Sequence, residues 1–304
     1  MTLLLASASG TQLSWNFWSD IRQLFAYHFM INALEAASIA AVLAGVAGWC
    51  MVLRRQTFVG HTLSVVAFPG AAGATWVGIS PLWGYFGFCL AAAMTIAGGA
   101  RRDGGRGSSE ESAVTGILQA FALACGFLFV VLYKGFLNET QSLLFGTFLG
   151  ITDSQVLVLA VVAMLVLGSL AALGRRLFFA SVDPVAAAAQ GVPTRLVGLL
   201  FLASLGLAVA EVSQITGALL VFALLVMPAS AAQRLSARPG MGLLLSIIFA
   251  LIVVWVGLGI SYFSTYPTGF WITSIGFAGY LAAVGGRSLV DRRARSVRHS
   301  GAAA

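Results

Sequence analysis

Three ionisable side chains fall in or at the edge of apolar runs in this 304-residue chain, and they are its main chemical resources. Glu35, His61 and Glu211 are each expected in a membrane-spanning segment, where an ionised group costs about 3 kcal/mol. A neutral imidazole at His61 suits a borderline divalent cation such as zinc, manganese or iron. Glu35 and Glu211 are candidates to line the same cation path. Each residue also has a plainer role open to it. Glu35, at the outer end of its run, can reach headgroups or water. Glu211 can pair with backbone donors of a turn at Ser213–Thr216, and His61 can close an interhelical hydrogen bond. His28 belongs to the aromatic stretch Trp15–Ile31 and is expected to be solvated.

Catalysis has little to work with. No Gly-x-x-x-x-Gly-Lys-Ser/Thr run occurs, and Lys134 is the only lysine, so nucleotide binding through a P-loop is excluded. There is no His/Asp/Glu grouping of metalloprotease spacing and no plausible nucleophile pair. Cys50, Cys89 and Cys125 stand apart within apolar runs and read as packing residues. No bound cofactor is expected, and an intramembrane enzyme is disfavoured.

The elements that must position these residues are membrane helices. Hydrophobic residues make up 59% of the chain and charged residues 9%, against roughly 25% charged in soluble domains. The fold class is therefore all-α and polytopic. About 20 apolar residues cover roughly 30 Å of hydrocarbon, which places nine spans. They are Leu34–Leu53, Phe58–Ile79, Leu82–Ala100, Ala113–Leu132, Gln155–Leu173, Thr194–Val212, Gly217–Gln233, Met241–Phe263 and Thr268–Val284. Eight or ten spans remain open.

The net charge of +7 comes mostly from arginines gathered between these runs. Arg54-Arg55, Arg101-Arg102-Arg106, Arg175-Arg176, Arg234 with Arg238, and Arg287 to Arg298 follow alternate spans. That is a positive-inside pattern and not a nucleic-acid patch, with the N-terminus outside and the C-terminus cytoplasmic.

Residues 1–33 are expected to form an external or interfacial segment, 34–286 the membrane domain, and 287–304 a basic cytoplasmic tail. Met1–Gly10 lacks the basic region of a signal peptide, so internal spans are expected to drive insertion. Trp15–Ile31 reads as an interfacial helix. Asn138–Ser154, with Gly146 and Gly150 flanking Phe148, reads as a short re-entrant or gate helix. Arg101–Glu111 reads as a flexible Gly/Ser-rich loop.

One cytoplasmic insert is too short to cross anything. Asp183 is a good N-cap, Pro184 fits the first helical position, Ala186 to Ala189 favour helix, and Gly191 with Pro193 ends it. Two turns of helix, about 10 Å, do not persist alone in water. The insert is either a plain connector or a docking element for a soluble motor.

Three blocks, in order, resemble the permease subunits of ATP-binding-cassette importers for zinc, manganese and iron. The first is Arg54-Arg55-Gln56-Thr57-Phe58-Val59-Gly60-His61-Thr62-Leu63-Ser64, running on to Pro69-Gly70. The second runs from Asp183-Pro184 to Pro193, then through Gly217-Ala218-Leu219-Leu220-Val221 to Pro228-Ala229. The third is Tyr266-Pro267-Thr268-Gly269. Together they span about Phe29 to Ala283.

The resemblance implies a bacterial plasma-membrane permease that imports a divalent metal. It implies a homodimer, two copies of a separate ATPase and an external metal-binding lipoprotein. Asp183, Pro184, Ala186, Ala189, Gln190 and Gly191 would form the coupling helix. Gly60, Ser64, Pro69, Gly70, Gly217, Pro228, Pro267 and Gly269 would be structural motif positions.

Two departures accompany it. Where the family carries Asp and His four residues apart, this chain has His61 and Val65, and Thr147 stands where an Asp often follows Phe-Gly. A metal chelate or other solute is therefore an alternative cargo. A secondary transporter is a weaker one, since the chain shows no clear inverted repeat and few acids in its spans.

Overall fold

The computed structural model describes residues 25–102, 107–133, 144–146 and 150–301. Among the described residues every regular element is a helix. In chain order they are α1 (His28–Leu53), α2 (Thr57–Val77), α3 (Pro81–Arg102), α4 (Gly107–Leu132) and α5 (Asp153–Val182). There follow α6 (Pro184–Ala189), α7 (Thr194–Thr216), α8 (Ala218–Leu235), α9 (Pro239–Phe263) and α10 (Thr268–Gly301).

Each of the nine apolar runs falls on one of the long helices. Seven of these, α1, α3, α4, α5, α7, α9 and α10, are long and apolar enough to cross a membrane by length and composition. The other two carry more polar or breaking residues or are shorter. Helix α2 holds His61, Thr62, Ser64 and Pro69, and α8 has 18 residues with Pro228 inside.

The helices outlast the apolar runs that mark them. Helix α1 starts at His28 and not at Leu34, so His28–Ile31 opens a long helix instead of ending an interfacial one. Helix α5 continues through Arg175-Arg176 to Val182, and α10 continues through the basic tail to Gly301. Hydropathy falls where a helix leaves hydrocarbon, but its hydrogen-bond ladder need not stop there. The expected loop Arg101–Glu111 shrinks for the same reason, because α3 reaches Arg102 and α4 begins at Gly107. Residues 15–24, 103–106, 134–143 (which include Asn138) and 147–149 (Thr147 and Phe148 among them) lie outside the described residues.

Helix α7 is central, packing against α1, α2, α3, α5 and α8. The bundle closes through small residues, which let backbones approach where apolar side chains gain nothing over lipid. A Cβ on Gly48 of α1 would collide with the Leu225 carbonyl of α8, and Gly70 of α2 sits against Gly84 of α3. Ser246 of α9 donates to the Gly45 carbonyl of α1 at 2.8 Å. A capping box starts α5, where Thr152 and Gln155 satisfy each other's backbone donors.

Candidate functional site

The short insert forms at the end of α5, as a helix capped at both ends. The Asp183 carboxylate accepts the Ala186 N–H at 2.9 Å, and Pro184 occupies the first turn. At the other end Gly191 takes φ of 80°, its N–H reaching the Ala188 carbonyl and that of Val192 reaching Ala187, both at 3.0 Å.

One residue seats the helix. Ala187 is fully buried where α6 meets α5 and α7, while Ala188, Ala189, Gln190 and Gly191 are exposed and Val185 is 79% exposed. Beside this seat, Arg54 ties the α1–α2 turn to the rest. Its guanidinium lies 5.1 Å from the Phe201 ring of α7 and donates to Ser181 of α5 at 3.5 Å. Val185 and Arg54 were not singled out as functional from sequence. An alanine run gives no hint of which face is buried, and Arg54 enters there as a charge and as the start of a motif block, with no partner named.

His61 lies on α2, half-buried, with its ring edge-on to Phe222 of α8 at 4.8 Å. Its carbonyl accepts from Ser64 at 2.6 Å. Its Nδ1 is buried and has no hydrogen-bond partner among the described residues, so no interhelical bond occupies that nitrogen. Val65, one turn on, is also half-buried. Among the described residues no three His, Cys, Asp or Glu side chains gather closely enough to hold a metal. The imidazole is a single ligand in apolar and aromatic surroundings.

The two carboxylates part company. Glu35 is exposed on α1. Glu211 is completely buried in α7, and among the described residues neither of its oxygens has a partner. The turn expected to satisfy it does not exist: α7 runs through Thr216, so the Ser213–Thr216 amides belong to its own ladder. The helix ignores the polar residues there because their side chains bond back to it, Ser213 to Val209 and Thr216 to Val212.

Beyond the Thr216 end of α7 two glycines of positive φ, Gly146 at 78° and Gly217 at 77°, bring backbone together. A Cβ on Gly146 would strike Ile215 and Thr216, and one on Gly217 would strike Leu144 and Gly146. Only residues without a side chain fit both sides of this clasp. Nearby, Asp153 accepts from Asn32 at 2.6 Å and pairs with His28 at 3.0 Å, while Asn32 also donates to the Ile151 carbonyl. His28 is solvated as expected, and it also pairs with Asp153 at the surface.

The remaining motif positions do packing. Gly60 lies against Met51, Pro69 is buried in α2, Pro228 sits inside α8, and Gly269 meets Leu220. The Pro267 carbonyl accepts from Phe270 at the start of α10.

Comparison with known proteins places this architecture. Residues 26–285 match the ABC 3 transport family. The chain is 29% identical to the manganese transport system membrane protein MntC of Halalkalibacterium halodurans, over 80% of each chain. It is 28% identical to the chelated iron transport system membrane protein YfeC of Yersinia pestis, covering 81% of this chain and 82% of that one. Among solved structures, PsaBC from Streptococcus pneumoniae in complex with Fab superposes with a TM-score of 0.77 at 25% identity, covering 87% of this chain and 94% of that chain.

Proposed function

The chain belongs to the ABC 3 transport family, and we propose that it is the membrane-spanning subunit of an ATP-driven importer for divalent metal cations in the bacterial plasma membrane. The observation that carries this reading is α6, a short capped helix seated by Ala187 that leaves Val185, Ala188 and Ala189 facing outward. A helix of that length persists only when packed; Ala187 supplies that packing on the bundle, and the small exposed side chains on its open face let a partner come close. In this reading the partner is a separate ATPase, two copies of which serve two copies of this chain. An external metal-binding lipoprotein delivers the cargo. The arginine groups support a cytoplasmic α6 and an external Gly217 in this reading.

Within the membrane His61 contacts the cation. Its unpartnered nitrogen can be offered to a borderline metal, and two copies meeting at a dimer axis would supply two imidazoles. So few ligands hold an ion weakly, which suits a conduit from which the ion must leave. This chain's own task is to position that nitrogen and to alternate access to it, while hydrolysis belongs to the ATPase.

His61→Ala should lower uptake of zinc or manganese about tenfold, the factor corresponding to roughly 1.4 kcal/mol of lost contact, with assembly preserved. Val65→His adds an imidazole on the same face one turn away and should increase metal retention while slowing release. If both variants carry metal like the parent, this face of α2 does not touch the cargo. Robust nucleotide hydrolysis by the chain alone would overturn the subunit assignment.

A second reading, a metal chelate as cargo, is favoured by the packing of His61 against Phe222 and by the absence of a clustered ligand set among the described residues. An aromatic and aliphatic wall suits an organic shell better than a bare ion. Stimulation of the complex's ATPase by free zinc or manganese, set against their chelates, separates the two.

A further inference from the structure

Glu211 is the one buried acid among the described residues, and the cargo path built on His61 makes no use of it. Both carboxylate oxygens are sealed from solvent and, among the described residues, without a hydrogen-bond partner. The polar groups along its own helix are committed elsewhere. Ser213 and Thr216 bond back to Val209 and Val212, Gln214 to Ala210, and Ser204 to Leu200 and Ser169.

The helices around α7 do not rescue it either. Helix α1 carries His28, Glu35 and Cys50, α2 carries His61, and α3 carries Tyr85 and Cys89. Helix α5 brings Asp153, Arg175 and Arg176, α6 is capped by Asp183, and α8 brings Arg234. None of them donates to either Glu211 oxygen. An ionised carboxylate in such a place would be left with neither donor nor counter-charge, an arrangement that folded proteins avoid by neutralising the group.

The occupant must then be a cation that needs very little. A divalent metal wants several oxygen or nitrogen ligands, and among the described residues no such group gathers here. A proton needs one oxygen. The position also gives the proton a way in and out. Glu211 precedes the end of α7 at Thr216 by five residues, roughly 8 Å along the axis. Over that end lies the backbone clasp of Gly146 and Gly217.

We propose that Glu211 is a proton-binding site, loaded while the clasp is shut and unloaded to water when it opens. On opening, the carboxyl O–H bond breaks and its proton passes to a water molecule arriving from the Gly217 end. The carboxylate keeps the electron pair, and closure reverses the exchange. The transporter would thus take up and return a proton at each protomer as its outer side opens and shuts.

The test uses the full chain assembled with its ATPase in lipid vesicles. Infrared spectra of the resting complex should show a protonated carboxyl band that shifts in heavy water and is lost in Glu211→Gln. During ATP-driven turnover a pH-sensitive dye on the outer side should report a reversible proton signal that the same variant loses. A parent without the band, a variant that keeps it, or a band removed at rest by adding manganese or zinc would each overturn the proposal. If Glu211→Gln does not assemble, Glu211→Asp keeps an acid with altered surroundings. It should move the band, and an unmoved band is equally fatal. The band is read before turnover, so the result does not depend on which cargo the complex carries.

Discussion

The two ends of α7 are closed in different ways. At the Thr194 end, α6 is held to the bundle by one buried alanine, with most of its surface left open. At the Thr216 end, Gly146 and Gly217 bring two stretches of backbone together with no side chain between them. A side-chain seat can shift by a rotamer or a fraction of an ångström. A backbone clasp has no such play, so it is either shut or parted. The α6 end is thus held by a contact with local play, and the Thr216 end by one without it.

Substitutions can break this contrast, and the largest effect should come from the clasp. Gly217→Val places a β-branched residue at positive φ and drives its Cβ into Leu144. It should lower stability by about 3 kcal/mol and abolish transport, as read by unfolding in detergent and by uptake. A variant that unfolds like the parent would show that the two backbones do not meet.

The seat should respond next. Ala187→Phe overfills a fully buried site and should destabilise the chain by about 2 kcal/mol, with transport lost as the helix is displaced. Full stability here would mean α6 is not seated through Ala187.

Outside the seat and the clasp, Asn32→Ala removes a buried amide that holds Asp153 and the Ile151 carbonyl. The expected loss is about 1 kcal/mol, visible as earlier unfolding with a modest change in uptake. An unaltered unfolding curve would detach this cluster from the outer seal.

The smallest effect on the fold should come from Ala188→Arg, at an exposed position of α6. Stability should stay within about 0.5 kcal/mol of the parent, because the added bulk points away from the bundle, while transport should fail if the proposed ATPase docks on this face. Normal uptake in cells carrying this variant would reduce α6 to a connector. Ala187 and Ala188 are adjacent in sequence, so the pair separates seating from docking without leaving the helix.

Sequence foretold some of this and missed the rest for physical reasons. The apolar runs mark the long helices because lipid imposes length and composition on them. The caps of α6 are legible because Asp183, Pro184 and Gly191 act on their immediate neighbours. Helix ends are less so, since α5 and α7 continue past the point where hydropathy falls, and the supposed turn beside Glu211 disappears with that. The seat at Ala187 is hidden in a run of identical residues and is chosen only by what α5 and α7 place beneath it. Asn32 and Asp153 are 121 residues apart, and nothing local announces their bond. Gly146 and Gly217 each stand out as glycines, but their pairing is a product of the bundle.

The contact of Gly70 with Gly84 also limits how His61 can travel. Helices α2 and α3 touch there through main chain, and well-packed interfaces switch between arrangements more readily than they stretch. Helix α2 therefore cannot slide along α3 by a small amount without lifting away from it. The imidazole is thus carried on a two-helix plate closed by main-chain contact, and not on a helix free to slide alone.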